Sequence, residues 1–271
     1  MAGSVAWDEL PASVQQAIEQ HTGPVTGTSP AGEGMSTNVR LILHTAGTDV
    51  FIKGTGPDVS DLTRDRLVLG AALAQHVTPL GPPLQWQVQA DGWDITAWPA
   101  LPGRPADLAP GSPDIPKLTA LLAELGTVQA PGNVPLRSVR EDWGRFSENP
   151  ALLDGNSLIH TDPHGGNFIV HDDQAWLLDW GWAMRGPAWI SSERFILFLM
   201  EAGWKPADAE QAVADVPAWT QAHPDVITSE AVSSVQSWER AVRRQPQNEG
   251  LRRWLTLTRQ WAEYRETAAR L

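Results

Sequence analysis

The stretch Leu158-Ile-His-Thr-Asp-Pro-His-Gly-Gly-Asn-Phe-Ile-Val170, followed by Trp176-Leu-Leu-Asp-Trp-Gly181, constrains this chain more than any other part of it. It sets His160, Asp162 and Asn167 in an H-x-D-x4-N pattern, with a second aspartate, Asp179, twelve residues beyond the asparagine. Apolar Ser157-Leu-Ile and Phe168-Ile-Val predict short strands on either side of a loop that carries Pro163, Gly165 and Gly166. Trp176-Leu-Leu predicts a third strand, which delivers Asp179 to the same edge. Each polar residue alone is an ordinary turn residue, since Asp and Asn side chains bond to nearby backbone. As a set they match what phosphoryl transfer from a nucleotide requires. One carboxylate orients and deprotonates an attacking hydroxyl, while an amide oxygen and a second carboxylate hold the metal that neutralises the phosphates.

Such chemistry also needs an anchor for the donor's phosphates, and the sequence upstream offers one. Asn38-Val-Arg-Leu-Ile-Leu-His44 and Asp49-Val-Phe-Ile-Lys53 predict a β-hairpin about Thr45–Thr48, with Lys53 closing its second strand. Ahead of it, Gly32-Glu-Gly-Met-Ser-Thr-Asn38 predicts a loop that covers phosphates through backbone N–H groups and the hydroxyl of Ser36 or Thr37. No G-x4-G-K-[ST] occurs, which argues against a P-loop enzyme. Asp61–Ala74 predicts a helix capped by Ser60. Leu84–Gln89 and Trp93–Trp98 alternate around Ala90-Asp-Gly92, a second hairpin.

These segments resemble the aminoglycoside phosphotransferase family, the small-molecule branch of the protein-kinase-like fold, over residues 32–200 or so. The resemblance implies an α+β fold of two lobes, with an antiparallel sheet plus helix in the first and a mainly helical second. Its boundaries would be a nucleotide lobe at 1–98, a proline-rich hinge and linker at 99–116, and a helical lobe at 117–271 carrying the catalytic loop and substrate cleft. It assigns Asp162 as catalytic base, Asn167 and Asp179 as Mg2+ ligands, and Lys53 as the partner of the α- and β-phosphates of ATP, with GTP the second choice. Asp65, between Arg64 and Arg66, stands where the family has the glutamate that steadies the lysine, with Asp61 as another option. Pro99-Ala-Leu-Pro-Gly-Arg104 resembles the hinge, where Pro99 would offer its carbonyl and Leu101 its N–H to adenine. Two departures stand out. Thr161 replaces the loop's usual glycine, and Ser191 or Ser192 stands where the family often has a loop-supporting aspartate.

Composition fits this reading. The chain has 271 residues, no cysteine and a net charge of −12, which argues against phosphate-dominated binding of nucleic acid and favours a cationic partner. The N-terminus has neither the basic nor the apolar part of a signal peptide, and Phe195–Met200 is too short to span a bilayer. The expectation is a cytoplasmic protein, monomeric or weakly dimeric, acting on a small molecule and needing neither nucleic acid nor membrane. Trp180, Trp182 and Trp189 are candidate walls for a cationic acceptor. The tail predicts three helices, at Asp208–Ala222, Ser229–Arg244 and Glu249–Arg270. Two other classes stay open: a non-catalytic nucleotide-binding relative, and a hydrolase with His160, Asp162 and His164 on a metal. Among kinases, a choline-like metabolite kinase is the alternative to an antibiotic kinase.

Overall fold

A computed structural model describes residues 5–32 and 37–269. The chain divides into two compact units, Met1–Gly103 with Leu178–Trp182, and Arg104–Leu177 with Ala183–Leu271.

The first unit opens with helix α1 (Ala12–Thr22), then strands β1 (Val25–Pro30), β2 (Val39–Thr45) and β3 (Val50–Thr55). Helix α2 (Asp61–Leu73) and strands β4 (Trp86–Ala90) and β5 (Trp93–Pro99) complete it. The strands form one antiparallel sheet in the order β1-β2-β3-β5-β4. Period-two alternation decides which side each residue takes. Val39, Leu41 and Leu43 of β2 and Val50 and Ile52 of β3 turn to one face, where Val14 and Ile18 of α1 cover them. Arg40 and Lys53, paired in register, turn to the other. Truncating Ile52, fully buried here, to alanine would cost on the order of 2–5 kcal/mol. Ser60 caps α2 as its sequence predicts, its Oγ accepting from the Thr63 N–H at 3.3 Å.

The second unit begins with strand β6 (Arg104–Pro105), helix α3 (Ile115–Leu125), strand β7 (Arg137–Ser138) and helix α4 (Val139–Trp143). Strands β8 (Ser157–Ile159), β9 (Phe168–His171), β10 (Gln174–Leu177) and β11 (Met184–Gly186) follow. Then come helices α5 (Ile190–Glu201), α6 (Pro206–Ala212), α7 (Pro217–Thr220), α8 (Pro224–Arg244) and α9 (Glu249–Ala268). The two strands that flank the H-x-D-x4-N loop lie in different small sheets, β7-β11-β8 and β10-β9-β6, so the loop crosses from one to the other. The single helix predicted at Asp208–Ala222 is instead α6 and α7. Pro217 cannot continue a helix through Val213–Val216, because it lacks an N–H and restricts the residue before it. Helix α5 is nearly all buried, and Trp238 of α8 stacks on Trp254 of α9 at 5.6 Å. No helix among the described residues is long and apolar enough to cross a membrane.

Candidate active site

In the first unit, the sheet face opposite α1 carries a charged cluster. Lys53 Nζ lies 2.8 Å from Asp179 Oδ1. Arg40, the cross-strand partner of Lys53, also acts on Asp179; burial lowers its pKa, and the Asp179 carboxylate opposes that effect. Asp179 takes a positive φ of 60°, a left-handed conformation that aspartate tolerates better than most residues. Gly181 lets this segment run close along α2, since a Cβ there would meet the Arg66 carbonyl at 2.8 Å. Among the described residues Thr37 Oγ1 is buried without a hydrogen-bond partner, so a hydroxyl donor is left over at the end of the glycine-rich segment. The companion candidate Ser36 lies outside the described residues.

The hinge candidates sit at the end of β5. Ala100 N–H donates to Asp49 O at 3.2 Å, so bonds to β3 fall at the residues on either side of Pro99. The carbonyl of Pro99 therefore points away from β3, toward the side where β4, paired only as far as Ala97, is absent. Leu101 follows two residues on, half-buried and outside any strand.

In the second unit the loop between β8 and β9 is held by its own polar groups. Asn167, buried at 7 % exposure, donates from Nδ2 to the Asp162 carbonyl at 2.8 Å and approaches Asp162 Oδ2 at 3.5 Å. That use of the nitrogen leaves Asn167 Oδ1 as the atom suited to a cation. His160 is buried, and its Nδ1 accepts from the Asp162 N–H at 3.3 Å. His164 Nδ1 accepts from the Gly166 N–H at 3.0 Å. Both imidazoles thus spend a nitrogen on shaping the loop, which disfavours the metallohydrolase alternative. Gly165 is required by packing, because a Cβ there would meet the Ala106 carbonyl at 2.6 Å. Thr161 is accommodated without strain: among the described residues the non-glycine positions with positive φ are Asp91, Asp172 and Asp179.

Several sequence expectations land differently. Asp65 is exposed on α2, and the carboxylate bonded to Lys53 is Asp179, while Arg64 pairs with Asp94. Ser191, one of the two serines where the resemblance implied a loop-supporting aspartate, does hold the loop: the His160 N–H donates to its Oγ at 3.1 Å. Trp180 and Trp189 are buried at 4 % and 6 % exposure, so their faces serve the core. Trp182 is 42 % exposed, with the Arg66 guanidinium stacked 3.1 Å above its ring. Arg40 was invisible to motif reading; its one sequence clue is the cross-strand position opposite Lys53.

The residues fit a nucleotide and magnesium by their chemistry. Two cations and an unpartnered hydroxyl suit phosphates, and Asn167 and Asp179 offer oxygen atoms. The described residues hold no cluster of three or more His, Cys, Asp or Glu able to grip a metal unaided. Magnesium asks for no such cage when phosphate oxygens and water fill its shell.

No family model and no curated protein match this chain. Solved structures do. An aminoglycoside phosphotransferase from Alicyclobacillus acidocaldarius is 12 % identical over 95 % of this chain and 94 % of its own, with a TM-score of 0.64. The choline kinase LicA from Streptococcus pneumoniae is 13 % identical over 92 % and 99 %, with a TM-score of 0.60. The phosphotransferase APH(2'')-IIa, solved with streptomycin and ATP, is 12 % identical over 93 % and 98 %, with a TM-score of 0.57. The chain has the protein-kinase-like fold of the small-molecule phosphotransferases, an antiparallel-sheet unit joined to a mainly helical one.

Proposed function

We propose that this protein is an ATP-dependent O-phosphotransferase acting on a hydroxyl of a small polar molecule that bears a cationic group. The observation that carries the reading is the bonding of Asn167 to Asp162 on the β8–β9 loop, in a fold shared with solved small-molecule kinases. The first unit, through Lys53, Arg40 and Thr37, supplies positive charge and a hydroxyl to the donor's phosphates. Pro99 and Leu101 supply a carbonyl and an N–H to its base. We take residues 1–98 as the nucleotide lobe, 99–116 as hinge and linker, and 117–271 as the acceptor lobe.

Asp162 accepts the proton of the attacking hydroxyl as its oxygen bonds to the γ-phosphorus and the bond to the bridging oxygen breaks. Asn167 fixes the backbone and carboxylate of Asp162, so that the acceptor is met in one orientation. Asn167 and Asp179 would hold Mg2+, which when bound neutralises charge on the phosphates. Most of the acceleration then comes from positioning and charge neutralisation.

The test is a nucleotide-turnover screen over aminoglycosides, choline and other amino alcohols, run on wild type and Asp162→Asn. The expected result is acceptor-dependent turnover that falls by at least about a hundredfold in the variant, the scale of general-base loss, with nucleotide binding retained. Undiminished turnover in Asp162→Asn would remove Asp162 from the mechanism.

A further inference from the structure

The second unit contains a cavity of about 210 Å³ that no part of the mechanism above uses. Its walls include Trp143, Phe146 and Trp238, with Arg194, Glu230 and Ser237 among its polar groups. Arg194 Nη1 is buried with no acceptor among the described residues, and Glu230, only 4 % exposed, lines the same cavity. No ion pair joins them among the described residues. A buried guanidinium edge with no acceptor is costly unless something in the cavity completes it.

The surrounding contacts shape what that must be. The Arg194 guanidinium stacks over the Trp143 ring at 4.7 Å, which fixes its plane and leaves its edge for the planar, two-pronged bonding that carboxylates favour. Glu230 hydrogen-bonds Glu193, whose Oε1 accepts from the Trp261 Nε1–H at 3.2 Å. Burial and Glu230 together push the Glu193 carboxyl well above its ordinary range, which favours its neutral form as the donor to Glu230. The cavity thus presents the Arg194 guanidinium and the Glu230 carboxyl group. Its size lies below the roughly 300–1,000 Å³ of drug-sized sites, too small for a multi-ring aminosugar. It is also tied to the catalytic loop. Ser191, which holds the His160 N–H, and Arg194 lie three apart on α5 and therefore on one helix face.

We propose that this cavity binds a compact zwitterion, a hydroxylated amino acid or close analogue, with its carboxylate on Arg194 and its ammonium on Glu230. That this molecule is the phosphoryl acceptor rests on the kinase reading; its binding does not. The experiment is calorimetry on the full chain without nucleotide, using matched pairs that differ only by the carboxylate: L-threonine against 1-aminopropan-2-ol, and L-tyrosine against tyramine. In at least one pair the amino acid should bind at least about tenfold more tightly than its amine. Arg194→Met should abolish that preference while leaving the amine's affinity unchanged. Ser237→Phe, which fills the cavity from its wall, should remove binding of both. Equal affinities within both pairs, binding by no amino acid, or a preference that survives Arg194→Met would overturn the proposal. If Arg194→Met does not fold, undiminished binding in Ser237→Phe decides against the site equally. Turnover is read separately: binding that follows this pattern without turnover of the bound amino acid would show that it is not the acceptor and leave the site standing, while the kinase reading falls only if the acceptor screen above gives no turnover.

Discussion

Lys53 and Asp179, 126 residues apart in sequence, meet at 2.8 Å in the first unit, with Arg40 on the neighbouring strand as a second cation beside them. The carboxylate proposed for magnesium is thus already held by the lysine proposed for phosphates. Positive charge is gathered at Asp179 in advance of any ligand, and an incoming polyanion meets two oriented cations.

That arrangement predicts a split between binding and stability. The pair is partly exposed, with side-chain exposures of 17 % and 32 %, and such pairs contribute only about 0–1 kcal/mol to folding. Lys53→Met should therefore leave the melting temperature within a few degrees of wild type while weakening ATP binding by roughly tenfold or more. Arg40→Met should weaken ATP binding in the same direction. Calorimetric titration and thermal melts on the same samples check this, and full nucleotide affinity in both variants would refute it.

Ser191→Ala removes the acceptor of a buried backbone N–H, that of His160. An unsatisfied buried donor costs about 1–3 kcal/mol, which in a chain of this size lowers the melting temperature by several degrees. Ser191→Thr keeps the oxygen and should retain more stability than the alanine variant. Equal melting temperatures for wild type and Ser191→Ala would show that the bond does not anchor the loop.

Glu193 gives stability a pH dependence whose sign is fixed by its environment. Burial first, and then Glu230, raise its folded pKa well above the ordinary value of 4.5, while Arg194 and the Trp261 bond oppose the shift. A group whose folded pKa is raised contributes stability that is present below the unfolded pKa and lost as pH climbs toward the folded one. Melts of wild type should therefore fall as pH rises above about 4.5. Glu193→Gln, which keeps an acceptor for Trp261, should flatten that decline. Parallel curves for the two proteins would contradict the assignment.

Tyr264 is the one tyrosine in the chain, so its ionisation is read cleanly by ultraviolet absorbance. Burial and the bond from its hydroxyl to Glu210 Oε2 at 2.8 Å raise its pKa to about 12. The neutral phenol is the form the fold favours, so this contribution to stability is lost as pH rises from the ordinary 10.0 toward that value. Glu210→Gln should bring the spectroscopic midpoint down toward its ordinary value. An unchanged midpoint would remove Glu210 as a cause.

The sequence alone determined the local pieces. Alternation in Val39–Thr45 and Val50–Thr55 placed the hairpin and set Lys53 on the face away from the core, and Ser60 marked the start of α2. The H-x-D-x4-N spacing put Asp162 and Asn167 on a single loop, where their bond forms within five residues. Short-range chemistry of that kind is written in neighbouring residues. Pairing across the chain is not, and there the tertiary structure decided. It gave Lys53 to Asp179 and left Asp65 in solvent, because a partner is chosen by distance in space and α2 turns that residue outward. It buried Trp180 and Trp189 in the core, since large apolar rings are stabilised most where water is excluded. It also set Arg194 and Glu230, 36 positions apart in the sequence, on one cavity. Neither carries a motif, and the cavity they share exists only once helices α5 and α8 have packed.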